Sequence, residues 1–195
     1  MRVKLAHAER KDAVDIAALA QSLKLTDKSQ KAGFLYYPHT AEDYAFIISL
    51  NNSVGDPFYV ARDESNRLAG FIHGMEVRPR VPAYLSQHVE SHEDLMYLYR
   101  NAPANFVFGE QIAVRPDLAR RGLGSLLLNQ MMRDAELSGV DDVYVSVLHS
   151  PVLNIASINF CEKFGFKLER EVRNNDGSAW GIYHASSHAE LGEGK

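Results

Sequence analysis

The sequence has almost no cysteine: Cys161 is the single one among 195 residues. One cysteine cannot form an intramolecular disulfide, which excludes a small disulfide-stapled scaffold and favours a reducing compartment such as the cytoplasm. No run approaches the ~18 consecutive apolar residues that a membrane span needs. Residues 1–12 lack the apolar core of a signal peptide, so we expect no leader and no membrane partner.

Positive charge is not in excess either. The 21 Lys and Arg residues are outnumbered by 25 Asp and Glu residues, which sets a formal net charge of −4. Non-specific nucleic-acid binding needs a clustered basic surface, so we expect no nucleic-acid partner. The length is little more than one domain of about 150 residues. We therefore predict a single domain over residues 1–186 and a disordered tail over 187–195.

The spacing of apolar residues predicts a mixed α/β fold. The elements are expected in the order β-α-α-β-β, then an insertion over 78–104 that contains a short helix, then β-α-β-α-β-β. Helices are predicted at residues 10–24, after Thr40, after Ser91, at 122–138 and at 154–164, and strands at 3–5, 58–61, 68–77, 106–114, 143–147, 166–172 and 179–184.

A glycine-rich turn joins the strand that ends at Val114 to the following helix. Its segment 120–125, RRGLGS, brings two arginines, two glycines and a hydroxyl to the helix start. Bare N–H groups and the helix dipole at such a start suit a phosphate or pyrophosphate. The segment has no P-loop consensus, and Leu127 occupies the position of the third Rossmann glycine. The alternative is that the glycines only shape the helix entry.

A second motif, NIASINFCEKFGF, lies at residues 154–166. Together with Val114-Arg115-Pro116 and the turn at 122–127, it resembles the two acyl-CoA-binding signatures of the GNAT superfamily of N-acyltransferases. The resemblance implies a mostly antiparallel sheet flanked by helices. It also implies an enzyme that moves an acetyl group from acetyl-CoA to a primary amine by direct attack in a ternary complex, without a metal. Ala119 departs from the family's Gln or Arg, and Arg120 would compensate.

The resemblance further implies which residues hold the cofactor. Pantetheine would lie between the strands that end at Val114 and Val147, and the pyrophosphate would lie at the glycine turn. Polar side chains of the second motif would face the cofactor, unless that helix face is an ordinary mix of polar and buried residues. The implied cofactor-binding set is Ile112, Ala113, Val114, Ala119, Arg120, Arg121, Gly122, Leu123, Gly124, Ser125, Asn154 and Ser157.

Three residues are candidates for catalysis. Glu110 would receive the proton of the attacking amine or bind a cationic acceptor, and the alternative is a solvent-facing glutamate. Cys161 stands where many relatives have a tyrosine that protonates the CoA thiolate. It is either a packed bystander, a general acid or an acyl-carrying nucleophile. His149, expected in a loop after Val147, is a second candidate acid or else a solvated histidine.

The remaining patterns leave alternatives open. His88 and His92 are four residues apart but have no third ligand at matching spacing, so we expect no metal site. The insertion at 78–104 is either an acceptor lid or a contact of a homodimer. Against the enzyme stand a non-catalytic acyl-CoA sensor and a protein-interaction module that binds no CoA. Aromatic residues that would wall an acceptor pocket, or pack in the core, are Phe34, Tyr36, Tyr37, Trp180 and Tyr183.

Overall fold

The computed structural model describes residues 2–25, 33–77 and 93–188. The chain divides into two compact units. The first comprises Met1–Asp27, Phe34–Met75 and Gly109–Asp134, and the second comprises Lys28–Gly33, Glu76–Phe108 and Ala135–Lys195. None of the helices within the described residues is long and apolar enough to cross a bilayer.

The described elements follow the predicted order. The elements are β1 (Lys4–His7), α1 (Ala13–Ser22), α2 (Ala41–Val54), β2 (Phe58–Arg62), β3 (Leu68–Val77), α3 (Glu93–Asn101), β4 (Phe106–Val114), α4 (Leu123–Leu137), β5 (Asp142–Ser150), α5 (Ile155–Lys163), β6 (Lys167–Arg173) and β7 (Ala179–Ser186).

The seven described strands are hydrogen-bonded in the order β1-β2-β3-β4-β5-β7-β6. The pairing is antiparallel between β1 and β2, β2 and β3, β5 and β7, and β6 and β7. This confirms a mixed α/β fold with a mostly antiparallel sheet.

Two of the predicted boundaries need correction. The helix predicted over 10–24 begins as the 3-10 turn Arg10–Asp12 and is α-helical only from Ala13. Asp12 causes the change: its carboxylate accepts the N–H of Glu9 at 2.8 Å and pairs with Arg62 at 2.5 Å. The strand predicted over 143–147 extends to Ser150, which moves His149 from a loop into β5.

The core of the first unit forms where α1 and α2 bury their apolar faces. Ile16, Tyr44, Ile48, Phe58 and Phe71 are each fully buried. Burying a side chain of this size stabilises the fold by roughly 1.5–3 kcal/mol. These contacts fix α2, and therefore the segment just before it, against β2 and β3.

The start of α2 is fixed by a capping box, as the sequence predicts. The Thr40 hydroxyl accepts the N–H of Asp43 at 3.2 Å, and the Asp43 carboxylate accepts the N–H of Thr40 at 3.0 Å. The reciprocal bonds satisfy N–H groups that the first helical turn leaves without partners. They also fix the backbone position of His39, the residue immediately before the cap.

The turn between β2 and β3 confirms the predicted hairpin. Asn66 adopts the left-handed conformation at φ 60°. The Asp63 carboxylate accepts the N–H groups of Ser65 and Arg67, both at 3.0 Å. Asp63 thereby stays at the root of the hairpin, where it also meets a residue of the glycine turn.

The second unit pairs β7 with β5 on one side and with β6 on the other. Strand β6 is rich in charged residues (KLEREVR) and mostly exposed, which protects a sheet edge from pairing with other chains. Helix α3 packs against it: the Tyr97 hydroxyl donates to Glu169 at 3.1 Å. The chain stays anchored beyond the predicted end at 186, because Ser187 donates its N–H to the Asp141 carbonyl at 2.7 Å.

Candidate active site

The turn before α4 has the geometry of an anion site. Arg120 and Gly122 both adopt the left-handed conformation, at φ 62° and 81°. The first helical hydrogen bond runs from the N–H of Leu126 to the Gly122 carbonyl at 2.9 Å. The N–H groups of Leu123–Ser125 precede it and therefore have no acceptor within the helix. The first turn of α4 contains no acidic residue to repel an anion. Backbone donors and the helix dipole therefore converge at this end of the helix.

The two arginines of the turn and the arginine before it have different roles. Arg120 and Arg121 are exposed. Arg115 instead pairs with Asp63 at 3.1 Å and Asp117 at 2.7 Å, and its N–H bonds to the Ala69 carbonyl at 2.9 Å. Hydrogen bonding to Asp117, partly opposed by desolvation, raises the pKa of Arg115. Arg115 thus fastens the turn to β3, while Arg120 and Arg121 remain available to a ligand's charge.

Glu110 lies in a cluster with two histidines, which the sequence did not indicate. Oε1 of Glu110 accepts a hydrogen bond from Nε2 of His39 at 3.2 Å, and Oε2 lies 3.5 Å from Nδ1 of His73. His39 precedes α2, His73 is on β3 and Glu110 is on β4. The Glu110 side chain is 28% exposed and that of His73 is 1% exposed. Glu110 is therefore half-buried and paired with two histidines.

The pKa values of the two imidazoles in the cluster are shifted in opposite directions. Burial lowers the pKa of His39, but the hydrogen bond and charge of Glu110 outweigh it, so the net shift is upward. Burial lowers the pKa of His73, and the Glu110 charge only partly offsets the loss of solvation. The carboxylate thus stands between a histidine that takes up a proton more readily than usual and one that does so less readily.

A hydrogen-bonded chain supports the cluster from below. The Tyr44 hydroxyl donates to Oε1 of Gln111 at 2.6 Å, and Nε2 of Gln111 donates to the Tyr37 carbonyl at 2.9 Å. Tyr44 packs edge-on against His39, with ring centroids 5.3 Å apart. Burial raises the pKa of Tyr44 far above its usual range, so it stays a neutral donor. These contacts hold the His39 ring beside Glu110.

Helix α5, in the second unit, bears the residues of the second motif. Asn154 is its N-cap: its side-chain oxygen accepts the N–H of Ser157 at 3.3 Å. The N–H of Ile158 bonds to the Asn154 carbonyl at 3.0 Å. Asn154 is 5% exposed, whereas Ser157 is half-buried. The asparagine therefore has a local structural role in starting the helix.

Cys161 is buried on the same helix, with 7% of its surface exposed. Burial raises the pKa of its thiol to about 12, and the neighbouring Glu162 carboxylate adds to the shift. A thiol in such surroundings is a weak acid and forms little thiolate near neutral pH. The environment is that of a packed, neutral side chain.

His149 lies in a chain of three polar side chains. Its Nδ1 donates to Oε2 of Glu171 at 3.0 Å, and its Nε2 lies 3.1 Å from the Tyr183 hydroxyl. The His149 side chain is 13% exposed, so the alternative of a solvated loop histidine is wrong. Gly181 makes room for the pair: a methyl group there would overlap the His149 ring and lie 2.8 Å from Cε2 of Tyr183. Burial raises the pKa of Tyr183 to about 12.

The predicted site residues fall into two groups, each inside one unit. The first unit holds Glu110, the end of β4 and the glycine turn, and the second holds His149 and α5. Sequence reasoning missed His39, His73 and Glu171 and assigned Tyr183 only to a pocket wall. One donor atom from each of His39, His73 and Glu110 lies within 4.8 Å of the others, so this cluster could also hold a metal ion. His88 and His92 lie outside the described residues.

The model of the acetyltransferase (GNAT) family matches residues 23–166, most of the chain, and the chain therefore belongs to that family. The match confirms the predicted family and enzyme class. No curated protein matches the chain in sequence.

Solved structures share the fold at low sequence identity. An N-acetyltransferase from Staphylococcus aureus Mu50 aligns with TM-score 0.67 and 18% identity over 96% of this chain and 99% of its own. A polyamine N-acetyltransferase from Drosophila melanogaster aligns with TM-score 0.67 and 15% identity over 95% of this chain and 100% of its own. A phosphinothricin acetyltransferase from Sinorhizobium meliloti, in complex with acetyl-CoA, aligns with TM-score 0.65 and 17% identity over 95% of this chain and 89% of its own. These likenesses confirm the fold.

Proposed function

We propose that the protein is an N-acetyltransferase that moves an acetyl group from acetyl-CoA to a primary amine by direct attack in a ternary complex. The observation that supports this most strongly is the turn before α4, where Arg120 and Gly122 are left-handed and N–H groups face outward in a chain of the GNAT family. The S. meliloti relative in complex with acetyl-CoA supports the choice of acyl donor.

The cofactor would be held mainly by backbone groups. The N–H groups of Leu123–Ser125 would bind pyrophosphate oxygens, and Arg120 and Arg121 would add charge. Because these contacts are made by the backbone, Ala119 weakens the site without abolishing it. Backbone groups of Ile112–Val114 would bind the pantetheine amides. Asn154 and Ser157, at the start of α5, would also contact the cofactor.

Glu110 would accept the proton of the attacking amine. The amine nitrogen forms a bond to the thioester carbonyl carbon, its proton passes to the carboxylate, and the carbon–sulfur bond breaks. The hydrogen bond from His39 at 3.2 Å holds one carboxylate oxygen in place. A base held within hydrogen-bond reach of its substrate typically contributes 10²–10⁴-fold to rate.

The departing thiolate would take its proton from the His149–Tyr183 pair rather than from Cys161. The Tyr183 hydroxyl would give its proton to the thiolate and take one back from Nε2 of His149, 3.1 Å away. Glu171, 3.0 Å from Nδ1, holds the imidazole in place. Burial raises the pKa of Tyr183 and that of Cys161 alike, to about 12. Of the two, Tyr183 has an imidazole nitrogen 3.1 Å from its hydroxyl that would return the proton, so Cys161 would be the packed bystander.

The acceptor would be a small-molecule or peptide amine. A half-exposed carboxylate suits a cationic acceptor, and the D. melanogaster relative acts on polyamines. No metal ion takes part in the proposed chemistry, since the carboxylate and imidazole supply both proton transfers. The unpaired thiol of Cys161 supports a reducing compartment such as the cytoplasm. A homodimer stays a prediction. The segment 78–104 is expected to be its contact or an acceptor lid, and residues 78–92 of that segment lie outside the described residues.

The rival is a non-catalytic acyl-CoA sensor. The observation that favours it is Cys161 at the position where many relatives have a tyrosine: the thiol is buried, and burial raises its pKa to about 12. A sensor would bind acetyl-CoA but would release no thiol when amines are added.

Two assays on the full chain test the proposal. Acetyl-CoA should raise the melting temperature, because a ligand of the native state stabilises it by mass action. Arg120→Ala with Arg121→Ala should weaken that shift, whereas Arg133→Ala, an exposed arginine of the same helix, should leave it unchanged. Free-thiol release should then require both acetyl-CoA and an amine. A melting shift without amine-dependent thiol release would favour the sensor, and no shift at millimolar acetyl-CoA would contradict both functions.

A further inference from the structure

We propose that His39, His73 and Glu110 form a binding site for a divalent transition-metal ion of the Zn²⁺ type. Three elements supply the ligands: the segment before α2, strand β3 and strand β4. All three residues belong to the first unit. Two imidazoles and one carboxylate are a donor set that zinc accepts with a fourth position left open for water or a substrate.

The distances between donor atoms fit a shared ion. Ligands placed 2.0–2.1 Å from a tetrahedral centre are about 3.3 Å apart. Nε2 of His39 lies 3.2 Å from one oxygen of Glu110, and Nδ1 of His73 lies 3.5 Å from the other. The three residues each offer a donor atom within 4.8 Å of the others. A shared ion requires donor atoms as much as 4.8 Å apart to approach by up to about 1.5 Å, a movement that the more exposed His39 side chain can supply.

His73 is the observation that points to a ligand. Its side chain is 1% exposed, and neither ring nitrogen has a hydrogen-bond partner among the described residues. Buried polar atoms are almost always satisfied, so an orphaned imidazole needs an explanation. Its Nδ1 faces Glu110. An ion bound there would satisfy this nitrogen.

The aromatic packing around His73 fixes the direction in which the ring points. Phe58 stacks on it, with centroids 4.8 Å apart and planes 20° apart, and Tyr44 meets it at 89°. The ring cannot swing out to find another partner without opening this core. His39, at 30% exposure, stands on the solvent side and closes the site. The arrangement thus joins a fixed buried ligand to a more accessible one.

Metal binding has a consequence that rests on the proposed function. An ion would occupy the Glu110 oxygens that the amine proton and a cationic acceptor need. Zn²⁺ should therefore inhibit acetyl transfer, and an excess of acceptor should weaken the inhibition. Binding itself does not depend on what the enzyme catalyses.

The test is a titration of the full chain, stripped of metal by a chelator, with Co²⁺ followed by absorption and with Zn²⁺ followed by calorimetry. We expect one ion per chain and a Co²⁺ spectrum typical of four-coordinate nitrogen and oxygen ligands. His39→Gln and Glu110→Gln should each weaken binding by at least about 100-fold, since even outer hydrogen-bond partners of metal ligands are worth 10–100-fold.

A matched control exists in the second unit. His184 is 34% exposed and pairs with Asp142 at 2.7 Å, much as His39 pairs with Glu110. His184→Gln should leave metal affinity and acetyl transfer unchanged. His39 is the better position to substitute, because it is partly exposed whereas His73 is buried in the core. Circular dichroism verifies that the His39→Gln variant is folded. Absence of stoichiometric binding up to millimolar metal would overturn the proposal, as would affinity that survives both His39→Gln and Glu110→Gln. Metal binding without inhibition would count against Glu110 as the base and not against the site.

Discussion

The thiol of Cys161 gives the folded chain a stability that should depend on pH. Burial raises the thiol pKa from its ordinary value of 9.0 to about 12 in the folded chain. The folded chain therefore keeps the proton more tightly than the unfolded chain does. Stability that is fully present below about pH 9 is lost as the pH rises towards 12. From pH 7 to pH 10 this single group should cost on the order of 1 kcal/mol of unfolding free energy.

The measurement compares wild type with Cys161→Ala by urea unfolding at pH 7 and pH 10. The variant will differ at both pH values, because truncation removes packing. The change between the two pH values, however, should be larger in wild type by on the order of 1 kcal/mol. Every other titrating group is common to both proteins and cancels. The slope against urea should be the same for both, which verifies that the unfolded states are comparable.

An equal pH dependence in the two proteins would refute the reasoning. It would mean that the thiol ionises in the folded chain as easily as in the unfolded one, and Cys161 would again be a candidate acid. Because Cys161 is the only cysteine, the difference in ultraviolet absorbance between wild type and Cys161→Ala during a pH titration reports its thiolate, while the tyrosinates common to both proteins cancel. We expect no thiolate in the native chain at pH 10.

Three further predictions follow from local contacts. Gly181→Ala should lower kcat about 10- to 100-fold, because its methyl group displaces His149, while Gly177→Ala, whose methyl group meets no atom within 4 Å, should cost stability but not turnover. Equal losses of turnover would contradict this. Glu110→Gln should lower kcat about 100-fold and leave the melting shift with acetyl-CoA intact; unchanged kinetics would exclude the base. Thr40→Ala should lower the unfolding free energy by about 1 kcal/mol through loss of its cap, measured by urea unfolding; no change would show that the cap is dispensable.

Local features of the site could be predicted from the sequence. The turn before α4 depends on residues within one short segment, and its glycines and arginines are adjacent in the chain. The capping box at Thr40 and Asp43 and the hairpin turn at Asp63–Asn66 are also encoded within four residues. Backbone conformation, capping and helix dipole all act over this range, so the pattern in the sequence is sufficient.

The histidine cluster could not be predicted in the same way. His39 and Glu110 are 71 residues apart, and they meet because β3 and β4 pair and α2 packs beside them. No spacing in the sequence encodes that register. The prediction that His149 lies in a loop was wrong for a related reason. Its strand continues to Ser150 through pairing with β7, which overrides the weak local preference of the segment after Val147.

The most direct test of the central claim follows the acetyl group itself. The protein is mixed with acetyl-CoA that bears an isotopic label in the acetyl group, together with a panel of primary amines, and products are identified by mass spectrometry. Direct attack predicts one labelled amide for each CoA thiol released, with no label on the protein at any time. Label found on Cys161, or thiol released equally with and without amine, would contradict it.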